Sequence, residues 1–392
     1  MAPSFQKNAE SLVMELLAIP GVSGQEGNVM RFIADRLGQA GAPPESIQFD
    51  KIPHPSPTSG EVGNLVLRLP GTRPGPRRLL MAHTDTVPLC QEARPVRRGR
   101  FVVPAEKHTG LGADDRAGTA VLLSIAEEIL RRNLPHPPLT LLWTVQEEIG
   151  LYGARLARLA MLGRPQLAFN FDGGAANKVT VGATGGYRMQ IHISGIASHA
   201  GVVPENGVSA IAIAGLAIAE LHRDGWHGRI EKARHQGTSN IGVIHGGEAT
   251  NVVTPEVELR AEARSHDPAF RAKIVEKIEQ AFKTAARSVQ NVAGVCGRVR
   301  IEGRLDYESF RLSNHEPCVT TACEAVRQCG ADPVLAVSNG GLDANWMTSR
   351  GIPTVSLGCG QENGHTVSER LDLAEFRRAC RIALCLAGCD IP

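Results

Sequence analysis

The chain has 392 residues, 42% apolar and 21% charged, with 42 Lys and Arg against 40 Asp and Glu for a formal net charge of +2. That length suits two domains, or one large α/β domain with an insertion. The near-balance of charge excludes the basic stripe of a nucleic-acid binder and the acidic tail of a disordered chain, and no apolar run reaches the roughly 18 residues that span a bilayer.

The first twenty residues carry one Lys and two Glu and no apolar stretch of the secretory kind, so they do not read as a signal peptide. Periodicity predicts helices over 11–17 and 28–38, then strands over 64–69 and 78–86, the second a buried apolar run. A strong amphipathic helix follows over 117–132, a strand over 139–147, a helix over 150–162 and a strand over 167–172. Strands alternating with helices imply a mostly parallel sheet covered on both faces. The rhythm then changes to strand 187–196, helix 207–222, strands 238–245 and 256–265, helix 268–290 and strand 298–307. That is the β-α-β-β-α-β order of a ferredoxin-like unit. Helix 316–329, strand 333–338, helix 342–349, strand 353–358 and helix 373–387 return to the first pattern. The expected organisation is a discontinuous α/β domain, 1–184 and 310–392, with an α+β insertion over 185–309. The Arg-rich stretch 94–100 reads as a small solvated charge patch. Nine scattered cysteines with no Cys-x-x-Cys pair suit a reducing cytoplasm better than a disulfide framework.

Functional residues of open parallel sheets gather beyond the carboxyl ends of the strands. Here those ends carry His83-Thr84-Asp85, Glu147-Glu148 and Asp172, while the strand at 353–358 leads into a Gly-rich loop with His365, and Asp114-Asp115 opens the helix 117–132. Taken singly, each has a plainer reading: a structural His–Asp pair, acids at a helix N-terminus facing its dipole, a loop histidine. Adjacent Glu147 and Glu148 at the end of an apolar strand repel unless something positive compensates them. Together, His83, Asp114, Glu148, Asp172 and His365 form the imidazole and carboxylate donor set of a divalent-metal site, suited to Zn2+, with Co2+ or Mn2+ as chemical alternatives. One Zn2+ needs only about three protein ligands, so five candidates suggest two ions sharing one carboxylate. Two divalent ions, three carboxylates and a bridging hydroxide come close to charge balance.

The stretches MAHTDTVP (81–88), GADDRAG (112–118), TVQEEIG (144–150), FDGG (171–174), SHAG (198–201), SNGGLDAN (338–345) and GHTVSE (364–369) resemble, in order and combination, those of the dinuclear zinc exopeptidases. That family includes peptidase T, carboxypeptidase G, aminoacylase-1 and succinyl-diaminopimelate desuccinylase. The resemblance spans almost the whole chain and leans towards peptidase T. It implies a phosphorylase/hydrolase-like α/β fold with the insertion as a lid or dimerisation domain, and two Zn2+ per subunit. By resemblance, Asp114 bridges the metals, His83 and Asp172 complete one site, Glu148 and His365 the other. Asp85 orients the His83 imidazole, and Glu147 is the general base and acid. Arg116 stands where relatives usually have Lys; it keeps the charge, and little effect is expected.

The implied lid residues are His199, Asn251 and Arg264, binding substrate as the insertion closes. Each has a structural alternative: an exposed loop histidine, a turn cap, a surface arginine on an edge strand. In dimeric relatives the histidine can come from the partner subunit, and a homodimer through the lid is expected at family level. The expected activity is a cytoplasmic metallopeptidase acting on short peptides, releasing the N-terminal residue of tripeptides. A carboxypeptidase, a dipeptidase or an N-acyl amino-acid deacylase would use the same chemistry, and an inactive metal-stabilised binding protein would be expected to have lost Glu147 or a ligand. Neither a membrane nor a nucleic-acid partner is expected.

Overall fold

The computed structural model describes residues 3–50 and 59–389. The chain forms two compact units, one of the residues up to Ala183 and from Arg311 onwards, the other of Thr184–Phe310. Among the described residues no helix is long and apolar enough to cross a membrane.

The first unit is built on a nine-stranded sheet. Its centre is four parallel strands in the order Leu139–Thr144, Arg78–His83, Leu167–Phe171, Thr354–Leu357. Nearly every residue of these strands is buried, as expected where helices cover both faces. Leu79 and Met81 pack with Ala154, Ala157 and Met347 on one face, and the helix Ala113–Arg132, itself almost wholly buried, packs on the sheet as well. Antiparallel strands Leu65–Leu69 and Ile47–Phe49 extend one side. On the other, Lys178–Ala183 pairs antiparallel with Thr354–Leu357 and parallel with Val334–Ser338. The fold is therefore α/β with a mostly parallel central sheet flanked by helices.

The strands Ile47–Phe49, Lys178–Ala183 and Phe310–Arg311 are not expected from the sequence, and three further local features depart from it. The helix expected over 150–162 is broken into Tyr152–Leu156 and a 3-10 turn, Leu159–Leu162, because Ala157 and Arg158 are extended. The helix at Ala113 is irregular at its start, with Asp114 (φ −83°, ψ 102°) and Asp115 (φ −121°, ψ 43°) outside helical geometry and a cis peptide bond between them. The Arg-rich stretch forms a hairpin, Pro95–Arg98 and Phe101–Pro104, turning at Gly99 (φ +63°). Its arginines stay exposed while Val102 is buried, and the hairpin joins Arg370–Asp372 and Gln361–Glu362 in a small antiparallel sheet.

The second unit is an antiparallel sheet in the order Gly228–Lys232, His235–His245, Glu256–Ser265, Gly185–Ser194, Arg298–Tyr307. Leaving out the first, which the sequence reading did not anticipate, the order is that of a ferredoxin-like unit. Period-two alternation puts Met189, Ile191 and Ile193, with Val257, Leu259 and Ala261, against Ile213, Ala217, Ile274 and Phe282 of the helices Ala210–Arg223 and Pro268–Ser288.

Buried polar contacts fix where the central strands end. Asn64 is fully buried; its amide donates to Asp50 Oδ2 and to the Gly153 carbonyl, both at 2.9 Å, and its Oδ1 accepts the Val145 N–H at 3.1 Å. It thereby ties the segment just ahead of Glu147 to two neighbours. Replacing Asn64 by Ala leaves Val145 N–H and Asp50 with lost partners, and is expected to cost roughly 2–4 kcal/mol in a denaturant titration.

Candidate metal centre

The four parallel strands run towards one edge, and the chain places its acids and histidines there. His83 is the last residue of its strand; Glu147 and Glu148 follow the strand ending at Thr144, and Asp172 follows Phe171. Asp114 lies in the irregular turn ahead of its helix, and His365 (φ +64°) in the loop after Thr354–Leu357.

These side chains converge into donor groups whose ligand atoms lie within 4.8 Å of one another: His83, Asp114 and Asp172; Asp114, Glu148 and His365; and His83, Glu147 and Glu148. The first two share Asp114. His83 Nε2 is 3.2 Å from Asp114 Oδ1, and His365 Nε2 lies 2.8 Å from Glu148 Oε1 and 3.4 Å from Asp114 Oδ2. Glu147 belongs to neither Asp114 group, and its Oε2 is 4.0 Å from His83 Nε2.

Asp85 is fully buried beneath this edge. It accepts the Glu147 and Glu148 N–H groups at 2.9 and 3.1 Å and the Ser23 hydroxyl at 2.6 Å. Its backbone oxygen lies 3.1 Å from His83 Nδ1 and its Oδ1 3.4 Å, so the imidazole presents Nε2 to the donor groups. Gln361 donates to Asp172 Oδ1 at 3.0 Å.

Burial raises the pKa values of Glu148 to about 7 and Asp172 to about 6, with the Asp114 charge adding to both. Burial likewise raises Glu147 well above the carboxylate range, helped by Glu148, Asp172 and Asp343. Asp114 moves the other way: burial opposes its charge, but hydrogen bonds from His365 and His83 outweigh that and lower its pKa. Hydrogen bonds to Asp114 and then to Glu148 lift His365 to about 10. Crowded carboxylates that must take up protons lack positive charge. Histidine and carboxylate donors in two groups with a common member fit divalent cations.

Several residues here carried no role in the sequence reading. Glu26 is fully buried, accepts the Gly24 and Gln146 N–H groups, and is raised to about 7 by burial and then by Asp85. Asp343, in the SNGGLDAN stretch, is buried and accepts the Thr144 hydroxyl; burial raises it to about 7. Glu369, in GHTVSE, binds the backbone of the Asp114 loop. For Asp343 and Glu369 the signal available in sequence was an acid inside a matched stretch; Glu26 lies in none. Arg116 is buried, donates to the Gly21 carbonyl at 3.2 Å, and is lowered to about 10 by burial against the pull of Asp85 and Glu26. Cys359 is buried next to Asp115 and Gln361 and belongs to neither Asp114 group.

The implied lid residues all lie in the second unit. His199 and Asn251 are exposed and adjacent: the Ala200 N–H donates to the Asn251 carbonyl at 2.9 Å, and His199 bridges Val252. Arg264 is near the opposite end of the same sheet, where it pairs across from Gly186 and is held by both carboxylate oxygens of Glu262 at 3.0 and 2.9 Å.

Fold and donor set together define a metal-dependent hydrolase. Residues 79–388 match Peptidase family M20/M25/M40, and the chain belongs to that family and is a metallopeptidase. It is 32% identical over 374 residues, 95% of each chain, to the uncharacterized protein YqjE of Bacillus subtilis strain 168. A solved tripeptidase from Staphylococcus aureus Mu50 superposes with a TM-score of 0.86 at 29% identity, covering 98% of this chain and 99% of that one. Aminopeptidase PepT from Bacillus cereus ATCC 10987 gives 0.81 at 30% identity over 97% of each.

The shifted groups make one pH prediction. A group whose folded pKa is raised stabilises fully below its unfolded value and loses that contribution as pH rises through the folded value. Asp172, Glu148 and His365 are all raised, so their windows jointly cover pH 5 to 8. Metal-stripped protein is expected to melt at lower temperature at pH 8 than at pH 5, and added Zn2+ to remove most of that loss, read by thermal unfolding with and without metal.

Proposed function

We propose that this metallopeptidase is an aminopeptidase that releases the N-terminal residue of short peptides, tripeptides above all. It would use two Zn2+ per subunit, which Co2+ or Mn2+ could replace. Asp114 is the shared ligand, His83 and Asp172 complete one site, and Glu148 and His365 the other. The single observation behind the reading is the pair of donor groups meeting at Asp114 with Glu147 beside them but outside both. The likeness to a tripeptidase and to an aminopeptidase supports the substrate class.

When bound, the cations supply the positive charge that acidifies water and polarises a scissile carbonyl. Glu147 takes a proton from the attacking water and returns it to the departing amine. Burial, which raises its pKa above the carboxylate range, makes Glu147 a stronger base than an exposed carboxylate. Asp85 holds the backbone of Glu147 and Glu148 and the His83 ring in register, so that adjacent glutamates take different duties from different surroundings. Glu147→Gln is expected to retain metal by elemental analysis while kcat drops about 10²–10⁴-fold. A panel of free tripeptides, dipeptides, N-blocked dipeptides and N-acyl amino acids separates the aminopeptidase from its alternatives. Turnover of blocked compounds alone would replace this reading with a carboxypeptidase or a deacylase.

His199, Asn251 and Arg264 hold the substrate, and the protein works as a homodimer through the inserted unit. Arg264 lies eight positions along its strand from Glu256, roughly 27 Å from the end that carries His199 and Asn251, whereas an extended tripeptide spans roughly 10 Å. That separation supports a site in which one copy supplies Arg264 and a second supplies His199 and Asn251. The strand His235–His245 pairs with Gly228–Lys232 only as far as Ser239, so its 240–245 half has an open edge among the described residues. Ile211 and Leu216, both about half exposed, lie on the helix Ala210–Arg223 of the same unit, with Ile211 reaching Gly247 just past that strand. An edge strand with an apolar helix face suits a two-fold self-association. Nine free cysteines fit a cytoplasmic setting.

Mixing separately inactive His199→Ala and Arg264→Ala chains tests the shared site. Random exchange leaves one intact centre in each mixed dimer, so activity is expected to return to about a quarter of the parent value. No recovery after verified exchange would mean that each chain completes its own site.

A further inference from the structure

Glu369 is 1% exposed and belongs to neither donor group at Asp114. Its Oε2 accepts the N–H groups of Leu111 and Gly112, both at 2.8 Å, and lies 3.5 Å from the Cys90 thiol; its Oε1 accepts the N–H of Asp114 at 3.0 Å. A carboxylate offers about four lone-pair sites, and four donors surround this one. The segment it holds is the turn that carries Asp114, with Gly112 at φ +77°, a conformation glycine adopts freely.

Glu369 also belongs to the loop that carries His365. Its own N–H donates to the Thr366 carbonyl at 3.2 Å, and the loop packs so closely on Asp114 that a Cβ at Gly364 would come within 2.9 Å of Asp114 Oδ2. A Cβ at Gly110 would likewise come within 3.1 Å of Glu369 Oε2. Two ligand-bearing loops 251 positions apart (114 and 365) are thus joined through a single buried carboxylate.

We propose that Glu369 is a positioning residue: its carboxylate clamps the Asp114 turn to the His365 loop and so sets the spacing of the group Asp114, Glu148 and His365. The inference rests on the metal-site reading above. It acts through backbone N–H groups, not on substrate; Asp114 is common to both groups but His365 belongs to one, so removal of Glu369 disturbs the metal of that group more than the other and catalysis more than substrate affinity. A carboxamide of the same size turns an NH2 towards these donors and cannot satisfy them all.

Calorimetric titration of metal-stripped, full-length protein with Zn2+ tests this in the parent and in Glu369→Gln. The parent is expected to take up two equivalents. In the variant one equivalent weakens about tenfold or more, the range for residues that orient metal ligands, while the other stays within about threefold. At limiting Zn2+, kcat falls with KM within about twofold, and excess Zn2+ restores it. Two equivalents bound at parental affinity, or equal weakening of both, overturn the proposal. A parent chain that takes up no Zn2+ sinks the metal-site reading instead. If Glu369→Gln does not fold, Glu369→Asp keeps the charge one methylene short and is expected to show the same selective loss. Failure of both to fold in saturating Zn2+ also overturns the proposal, because Glu369 would then serve the whole fold.

Discussion

Unbalanced negative charge at the carboxyl edge of a buried sheet is the constraint on which the first unit depends. Asp85, Glu147, Glu148 and Asp172 lie just beyond the ends of apolar strands and Asp114 and Asp115 at the start of a buried helix, with His83 and His365 among the cationic groups that act on them. Burying even one carboxylate without compensation is costly. The molecule resolves this partly through fixed backbone N–H groups and partly by protonation. The remainder is a standing demand for cations, and that demand is also the chemistry of the site.

The backbone contribution falls to a few buried acids. Asp85 gathers the N–H groups of both glutamates, Glu26 takes that of Gln146, and Glu369 takes three from the Asp114 turn. Each acts on the main chain next to a chemically active side chain. The precision of the centre therefore resides as much in these supports as in the ligands, as is general for metal sites.

The sequence revealed the parts of this arrangement that follow a periodic rule. Apolar runs ending in His, Glu or Asp marked His83, Glu147, Glu148 and Asp172, and strand logic drew them to one edge. Interactions with no period stayed hidden. A glutamate that accepts three N–H groups looks in sequence like any other glutamate, so Glu369, Glu26 and Asp343 drew no role. The hairpin at 95–104 was masked by its exposed arginines; Val102 is its one buried side chain, and its pairing with Arg370–Asp372 leaves no periodic trace. The break after Leu156 depends on extended geometry at Ala157 and Arg158 that helical spacing could not foresee. The short strand Gly228–Lys232 has one buried residue, Ile230, too little for an alternating signal.

The insertion leaves the first unit after Lys178–Ala183 and returns at Phe310–Arg311, a strand beside it in the same sheet, with the Leu312 N–H donating to the Val181 carbonyl at 2.7 Å. Departure and re-entry are thus neighbouring rungs of one ladder. A graft attached in this way imposes no new register on the host sheet, whatever its length or sequence. A change in the length or sequence of the inserted module can therefore be absorbed without moving the strands that end at His83, Thr144 and Phe171.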